Sequence, residues 1–509
     1  MDITTAFEAV IPRSNRGEGT INIMEKIPKE IIGITKKLRE KNFEAYLVGG
    51  SVRDLLRGVK PRDWDITTNA TPEQIQKIFS DSFYENNFGT VGVKTGAEDE
   101  TLKIVEVTPY RVEAKYSDKR HPDKVEFAEK LEDDLKRRDF TINAIALEVQ
   151  PKQRKFIDLF DGEEDLKKKI IRAVGNPVER FNEDALRMMR AVRFSSELSF
   201  TIETNTLEAI KKHSGLLKFI SKERIRDEFE KIILSRAPSK GIEIMRETGL
   251  LKEFLPELLE GFGITQNLHH IYTVWEHNLK SLEHAAKKSW PFVVRMAALL
   301  HDVGKPRTKR GDGKFSTFYG HDVVGAKMSF QILSRLKFPK EFIEKVSKLI
   351  RYHLFYYNVD EVTESSVRRL IARVGREDME DLIRVRVCDR IGSGVPKEEP
   401  YKLRHFRFMV EKLGRDPISV GMLKINGNDI MKICSLSPSP KIGQILLILL
   451  DEVLDDPKKN TKEYLGEGAK KLCEMSDKNL VGLAKKSREK KIAIESEEVG
   501  KIKKKHYVK

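Results

Sequence analysis

The chain has 509 residues, 39% hydrophobic and 34% charged, with a formal net charge of +15. That is too long for one domain and apolar enough for buried cores, and the charge favours a polyanionic partner unless it reflects only a lysine-rich composition. Cys388, Cys434 and Cys473 show no CxxC spacing, which argues against a disulfide framework or zinc finger and fits a reducing cytoplasm. The start, MDITTAFEAV, lacks the basic and apolar segments of a signal peptide. The longest apolar runs, around 291–300 and 442–450, are far short of a membrane span.

Residues 1–25 read as a loosely structured leader. From 26 to 165, helix-like periods over 27–39 and 72–79 interleave with strand-like runs at 45–48, 64–68, 90–94, 102–108 and 145–149, the pattern of a small α/β domain. After Asn176-Pro177 strand signals fade and helical periodicity takes over. A neck is expected over 166–245, a histidine-rich region over 246–395 and a helical region over 396–475. The final stretch, 476–509, carries Lys501, Lys503, Lys504, Lys505 and Lys509 and reads as a frayed basic tail.

The segment AYLVGGSVRDLLRGVKPRDWDITTNATPEQI carries the first chemistry. A short apolar strand ends in Gly49-Gly50-Ser51, and a helix starts near Val52. Two glycines let backbone N–H groups approach a phosphate, and a helix N-terminus adds a favourable dipole. Ser51 offers a hydroxyl and Arg53 a charged fork. Asp63 and Asp65 are two apart in a strand-like run, so both carboxylates share a face, either as an exposed acidic strand end or as hard ligands for Mg²⁺ beside a triphosphate. The phosphate-cradling turn upstream favours metal binding, in a two-metal arrangement suited to in-line displacement. Glu106, in KIVEVTPYR, is the candidate third carboxylate; the alternative is a structural role in its strand.

This GGSVRD…RDWDITT pattern resembles the nucleotidyltransferase core of the polymerase beta superfamily and, more narrowly, the bacterial-type (class II) CCA-adding enzymes and their poly(A) polymerase relatives. The motifs YSDKRHPDKVEF, LKRRDFTINAIAL, NEDALRMMRAVRF and ERIRDEFEKIIL follow in order. The resemblance is close over about 26–240 and looser to about 465. It implies an α+β chain: a polymerase-beta-type α/β head, then an all-α neck, HD body and tail. It also implies that tRNA is extended with C, C and A from CTP and ATP, with pyrophosphate release.

In NEDALRMMR, Asp184 and Arg187 are three apart on an expected helix. Ionised Asp only accepts hydrogen bonds and Arg only donates. Cytosine and adenine each present an amine donor beside a ring-nitrogen acceptor, whereas guanine and uracil present the reverse, so this pair suits C and A. The resemblance implies the same protein template; the alternative is a surface ion pair. By resemblance, Arg138 and Asp139 contact the ribose. Arg190 continues the Arg187 face, toward the triphosphate or toward acidic neck residues. The polar stretch 113–134 matches the family's flexible loop, in which Asp118 and Arg120 are the positions that switch specificity from C to A, and its presence favours full CCA addition.

His277, His301-Asp302 in MAALLHDVGK, His321, His353 and Asp389 supply imidazole and carboxylate ligands suited to a first-row divalent metal. Their order resembles the HD phosphohydrolases. His277, His301, Asp302 and Asp389 match the metal-binding core, and His321 and His353 match the extra histidines of two-metal versions. Some nucleotidyltransferases keep this fold without its ligands, but here the core positions are present. A 2′,3′-cyclic phosphate or phosphomonoester on damaged RNA is the expected substrate. The segment from LKINGNDIMKI onward resembles the module that holds the acceptor and TΨC arms of tRNA. The nearest rival reading is poly(A) polymerase, but the basic signature expected after the metal aspartates is replaced by NNFGTVGVKTGAEDE. An HD phosphohydrolase with an inert head is the second rival.

Overall fold

The computed structural model of the chain describes residues 27–85, 89–113, 125–149, 154–267, 271–311, 313–359, 361–414 and 420–508. It contains two compact units, one from residues 1–262, 286–295 and 331–343, the other from 263–285, 296–330 and 344–509.

The first unit opens with α1 (Lys29–Glu40), whose Ile31, Ile34 and Leu38 form one apolar stripe. Then come β1 (Ala45–Val48), α2 (Gly50–Leu56), β2 (Asp65–Thr68), α3 (Pro72–Ile78), β3 (Ser82–Tyr84), β4 (Val91–Lys94) and β5 (Ile104–Pro109). A reciprocal capping box between Thr71 and Gln74 starts α3, with Pro72 in the first turn. β6 (Arg111–Glu113) pairs with β7 (Val125–Phe127), and α4 (Leu131–Lys136), β8 (Ile145–Val149), β9 (Arg154–Asp158) and α5 (Gly162–Lys168) complete the head. The stretch expected to be one polar loop therefore contains a strand and a helix, because Leu131 and Leu135 anchor it beside Val48, Tyr110 and Ala146. Asp118 and Arg120 lie outside the described residues.

The sheet order is β3-β4-β5-β2-β1-β8-β9, with only β2 and β5 parallel. Leu47, Ile66, Val105, Val107 and Leu147 bury one face in a core shared with Ile31, Leu38 and Ile75. Truncating one of these to Ala would cost about 2–5 kcal/mol. The period of two then sends Asp65 and Glu106, register partners on β2 and β5, to the opposite face.

The chain becomes helical after β10 (Ile170–Ile171), which pairs in parallel with β11 (Thr201–Ile202) across α6 (Pro177–Glu183) and α7 (Leu186–Leu198). So a short strand pair persists where sequence signals fade. α8 (Thr204–His213), α9 (Lys222–Leu234), α10 (Pro238–Glu247) and α11 (Pro256–Leu259) follow. The first compact unit includes the chain as far as Phe262.

Beyond it run α12 (Val274–Lys287), α13 (Phe292–Leu300), α14 (Lys305–Thr308), α15 (His321–Arg335), α16 (Lys340–Tyr352), α17 (Glu364–Val374), α18 (Met379–Gly392) and α19 (Tyr401–Gly414). The C-terminal module comprises α20 (Gly427–Cys434), α21 (Pro440–Asp455), α22 (Lys462–Cys473) and α23 (Asp477–Lys505). Two expectations are corrected here. The basic tail is not frayed: α23 packs along α21, burying Leu480, Ala484 and Ser487 at helical spacing, and Ser487 Oγ donates to Asp451 at 3.1 Å. The cysteines are not all free: Cys434 and Cys473 form a disulfide (Cα–Cα 6.1 Å), because the ends of α20 and α22 meet, while Cys388 is buried and free. Among the described residues no helix is long and apolar enough to cross a membrane.

Candidate functional site

The β1–α2 turn rests on Gly49, whose φ of +72° suits glycine. A Cβ on Gly49 would come within 3.3 Å of Asp65 Oδ2 and 3.2 Å of Arg138 Nη1, and one on Gly50 would come within 3.9 Å of Asp63 Oδ1 and 3.7 Å of Arg53 Nη2. Two carboxylates and two guanidiniums therefore converge on the glycine turn, most tightly at Gly49, where a Cβ would crowd them. Asp63 is not in a strand as expected. β1 pairs Val48 with Asp65 and ends there, so Asp63 lies past the ladder, in an exposed bend, still facing Gly50.

Burial, followed by the Asp63 charge, pushes Asp65 up to about 6 against the pull of Arg138. Burial, followed by Asp65, Glu85 and Asp63, pushes Glu106 up to about 7. Clustered carboxylates that resist joint ionisation form a donor set that a divalent cation would satisfy.

Ser51 is placed differently from the expectation. Its side chain is fully buried and its hydroxyl donates to Val48 O at 2.8 Å, so it pins the turn rather than facing a phosphate. Arg53 donates to Asp54 and to Asn143 Oδ1, each at 3.0 Å. Arg138 donates to Asp134 at 3.0 Å. Asp139 accepts from Phe140 N, Asn143 Nδ2 and Arg190 Nε. Burial opposes its ionisation, but Arg190 and Asn143 outweigh burial and hold it at about 2. Arg190 thus bridges head and neck, 2.6 Å from Asp139 and 4.0 Å from Glu228. Arg53, Arg190 and Arg193 surround the Phe194 ring at 5.3, 5.4 and 4.4 Å, concentrating positive charge beside the glycine turn.

Asp184 and Arg187 do not share a helix. α6 ends at Glu183, Asp184 is its extended C-cap (φ −139°), and Arg187 lies in the first turn of α7. Arg187 N donates to Asp184 O at 3.0 Å, while the two side chains reach other partners. Asp184 accepts from Arg224 at 2.7 and 3.3 Å, and Arg187 donates to Glu183 at 2.5 Å and to the carbonyls of Arg180 and Arg137. Sequence reasoning missed Arg224, Asn143 and Glu228 as partners, since only folding brings α9 against α7.

In the second unit the six expected ligands form two buried groups, His277–His301–Asp389 and Asp302–His321–His353. His277 Nε2 lies 3.1 Å from Asp302 Oδ2 and 3.4 Å from Asp389 Oδ1, and His321 Nε2 lies 3.3 Å from Asp302 Oδ1. The Nδ1 atoms of His301, His321 and His353 lie 2.9, 2.6 and 2.6 Å from the carbonyls of Ala298, Phe318 and Ile350, which turns each Nε2 inward. Nε2 of His321 and of His353 is buried without a hydrogen-bond partner. These are lone pairs that a divalent cation would take up. Close approach makes this possible: a Cβ on Gly304 would meet His321 O at 2.5 Å and Gly325 N at 2.6 Å. Lys305, missed in the sequence though three residues after Asp302, sits 2.5 Å from that carboxylate and donates to Gln266 Oε1 at 2.6 Å.

Comparison with known proteins agrees with this division. Residues 45–172 match the poly A polymerase head domain, 199–261 the "probable RNA and SrmB- binding site of polymerase A", and 268–392 the HD domain. The CCA-adding enzyme of Ligilactobacillus salivarius is 37% identical over 463 residues, 89% of this chain and 99% of that protein. The A-adding tRNA nucleotidyltransferase of Deinococcus radiodurans is 34% identical over 80% of this chain and 91% of its own. The structure is also similar to the Bacillus stearothermophilus CCA-adding enzyme in complex with CTP (TM-score 0.57, 28% identity, 86% of this chain and 96% of that one).

Proposed function

Since the chain belongs to the family of CCA-adding tRNA nucleotidyltransferases, we propose that it completes the 3′ end of tRNA by adding C, C and A from CTP and ATP. The observation that carries this reading is the convergence of Asp63, Asp65, Arg138 and Arg53 on the Gly49-Gly50 cradle. In the proposed reaction the tRNA 3′-hydroxyl attacks the α-phosphate and pyrophosphate leaves. Asp63, Asp65 and Glu106 would hold Mg²⁺, which supplies charge neutralisation at the attacking and leaving oxygens. The turn N–H groups and the arginines around Phe194 bind and orient the triphosphate.

Base choice falls to Asp184 and Arg187. Arg224 fixes the plane of the Asp184 carboxylate, leaving lone pairs for the base amine. Glu183 and two carbonyls fix the Arg187 fork. G or U would leave these groups mispaired at about 1–3 kcal/mol each. Arg138 and Asp139 lie next to the ribose in this reading, with Arg190 behind Asp139, and Asp118 and Arg120 belong to the specificity switch. The basic helices of the C-terminal module would hold the acceptor and TΨC arms through phosphates and shape. In this reading the protein works with its substrate in the cytoplasm.

The test uses tRNA lacking its CCA end, with labelled CTP and ATP. Ordered addition of C, C and A that then stops supports the proposal. Incorporation of A alone, and only onto tRNA already ending in CC, would make the chain an A-adding enzyme, and a long A tail would make it a poly(A) polymerase.

For the second unit we infer a divalent-metal centre on His277, His301, Asp302, His321, His353 and Asp389, with hydrolysis of a phosphate ester as its activity. The unsatisfied Nε2 atoms of His321 and His353 support it.

A further inference from the structure

Behind the glycine turn, one buried acid has no part in the reaction described above. Asp134, in α4, is fully buried. A buried carboxylate is costly unless it is paired, so its partners define what it does. Arg137 and Arg138 follow it by three and four residues, the spacing that puts helical side chains on one face. Arg137 donates to Asp134 Oδ1 through Nε at 3.0 Å and Nη2 at 2.5 Å, and Arg138 donates to Oδ2 at 3.0 Å. Thr67 Oγ1, on β2 two residues past Asp65, lies 3.4 Å from the same Oδ2. Burial opposes the ionisation of Asp134, but the two guanidiniums outweigh it and hold the carboxyl below its ordinary value.

The two arginines lead to different parts of the head site. Arg138 points forward: a Cβ on Gly49 would come within 3.2 Å of its Nη1, and its charge pulls on Asp65. Among the described residues, Asp134 is the one carboxylate in ion-pair reach of Arg138. Arg137 leads sideways: its carbonyl accepts from Arg187 Nη2 at 3.0 Å, and the Lys136 carbonyl accepts from Arg180 Nη1 at 3.1 Å. These carbonyls close α4 and have no partner within the helix, which leaves them open to guanidiniums from the neck. Arg137, Arg138, Arg180 and Arg187 are thus gathered at one helix end. Glu183 offsets their charge from the neck, and Asp134 offsets it from within the head.

We propose that Asp134 is a positioning residue for nucleotide selection: one buried carboxylate sets Arg138 at the glycine turn and, through Arg137, sets the carbonyl that fixes the Arg187 fork. It rests on reading the head as the CCA-adding site, and it goes beyond that reading by tying two choices to one residue. Arg138 lies beside the ribose in that reading and Arg187 reads the base. Loss of the Asp134 charge therefore loosens the choice of sugar and the choice of base together. An acid that only stabilised the head would lower the thermal midpoint and leave both choices intact.

The test is single-turnover incorporation by the full-length protein on tRNA lacking its CCA end. CTP competes with dCTP for the choice of sugar and with UTP for the choice of base, at a temperature below the thermal midpoint of each variant. Asp134→Asn keeps the shape of the side chain and removes its charge. It is expected to slow CTP incorporation by about ten-fold or more and to reduce both discriminations by about ten-fold. Asp134→Glu restores the charge and is expected to recover part of each loss. Arg137→Met leaves the carboxylate paired with Arg138, so it is expected to loosen the choice of base and keep the choice of sugar. Loss of only one discrimination in Asp134→Asn, or of neither, would overturn the proposal whatever the change in rate. If Asp134→Asn does not fold, Arg137→Met decides: a selective loss of base discrimination supports the proposal, and any other result overturns it. The two failures are distinguishable. A wild type that adds no C to this tRNA removes the CCA-adding reading and the proposal with it, whereas a wild type that adds CCA beside an Asp134→Asn variant with intact choices removes the proposal alone.

Discussion

The two candidate centres solve opposite problems. In the head, carboxylates lie on the open face of a sheet: Asp63 is exposed, Asp65 half-buried, and a glycine turn keeps the space beside them clear. In the second unit the candidate ligands are buried and preoriented by backbone carbonyls, and Nε2 of His321 and of His353 is left near Asp302 without a hydrogen bond. The first site is completed by a substrate that brings its own triphosphate charge. In the proposed reading the second would be shaped for a cation before any substrate arrives. Orienting a ligand needs burial, whereas admitting a long RNA and a nucleotide together needs an open face.

This contrast can be broken in several ways. The largest effect is expected from Asp63→Ala with Asp65→Ala, which should lower nucleotide incorporation on the order of 1000-fold while tRNA binding, measured by filter retention, persists. Lost tRNA binding would mean that the pair is structural. Arg224→Met should come next. Removing the partner that orients Asp184 is expected to reduce discrimination against UTP and GTP by about ten-fold in single-turnover competition; unchanged discrimination would show that Asp184 needs no such support. Reduction of Cys434–Cys473, or Cys434→Ser, should cost the C-terminal module about 2–4 kcal/mol, read as a lower thermal midpoint under dithiothreitol. An unchanged midpoint would remove the disulfide from the stability of α20 and α22. The smallest effect on incorporation is expected from His301→Ala. It should empty the second unit of metal, by elemental analysis, yet leave CCA addition intact, and loss of both would join the two centres.

Much of this was legible from local patterns. The strands at 45–48 and 145–149 were placed to the residue, and the sequence named the glycine turn, the head carboxylates and the six residues that the fold gathers into two buried His–Asp groups. What stayed hidden depends on partners distant in sequence. The end of the β1–β2 ladder places Asp63 outside its strand, α9 supplies Arg224 to Asp184, and the meeting of α20 with α22 joins two cysteines 39 residues apart. The tail was misread for another reason. Its lysines dominate the composition, and the sparse Leu480–Ala484–Ser487 stripe becomes meaningful only once α21 lies beside it.

A crystal structure with Mn²⁺ and a non-hydrolysable CTP analogue tests the central claim most directly. The account expects anomalous density between Asp63 and Asp65, the phosphates at the Gly49-Gly50 turn, and the cytosine edge against Asp184 and Arg187. Metal bound away from those carboxylates, or a base with its edge turned from that pair, would contradict it.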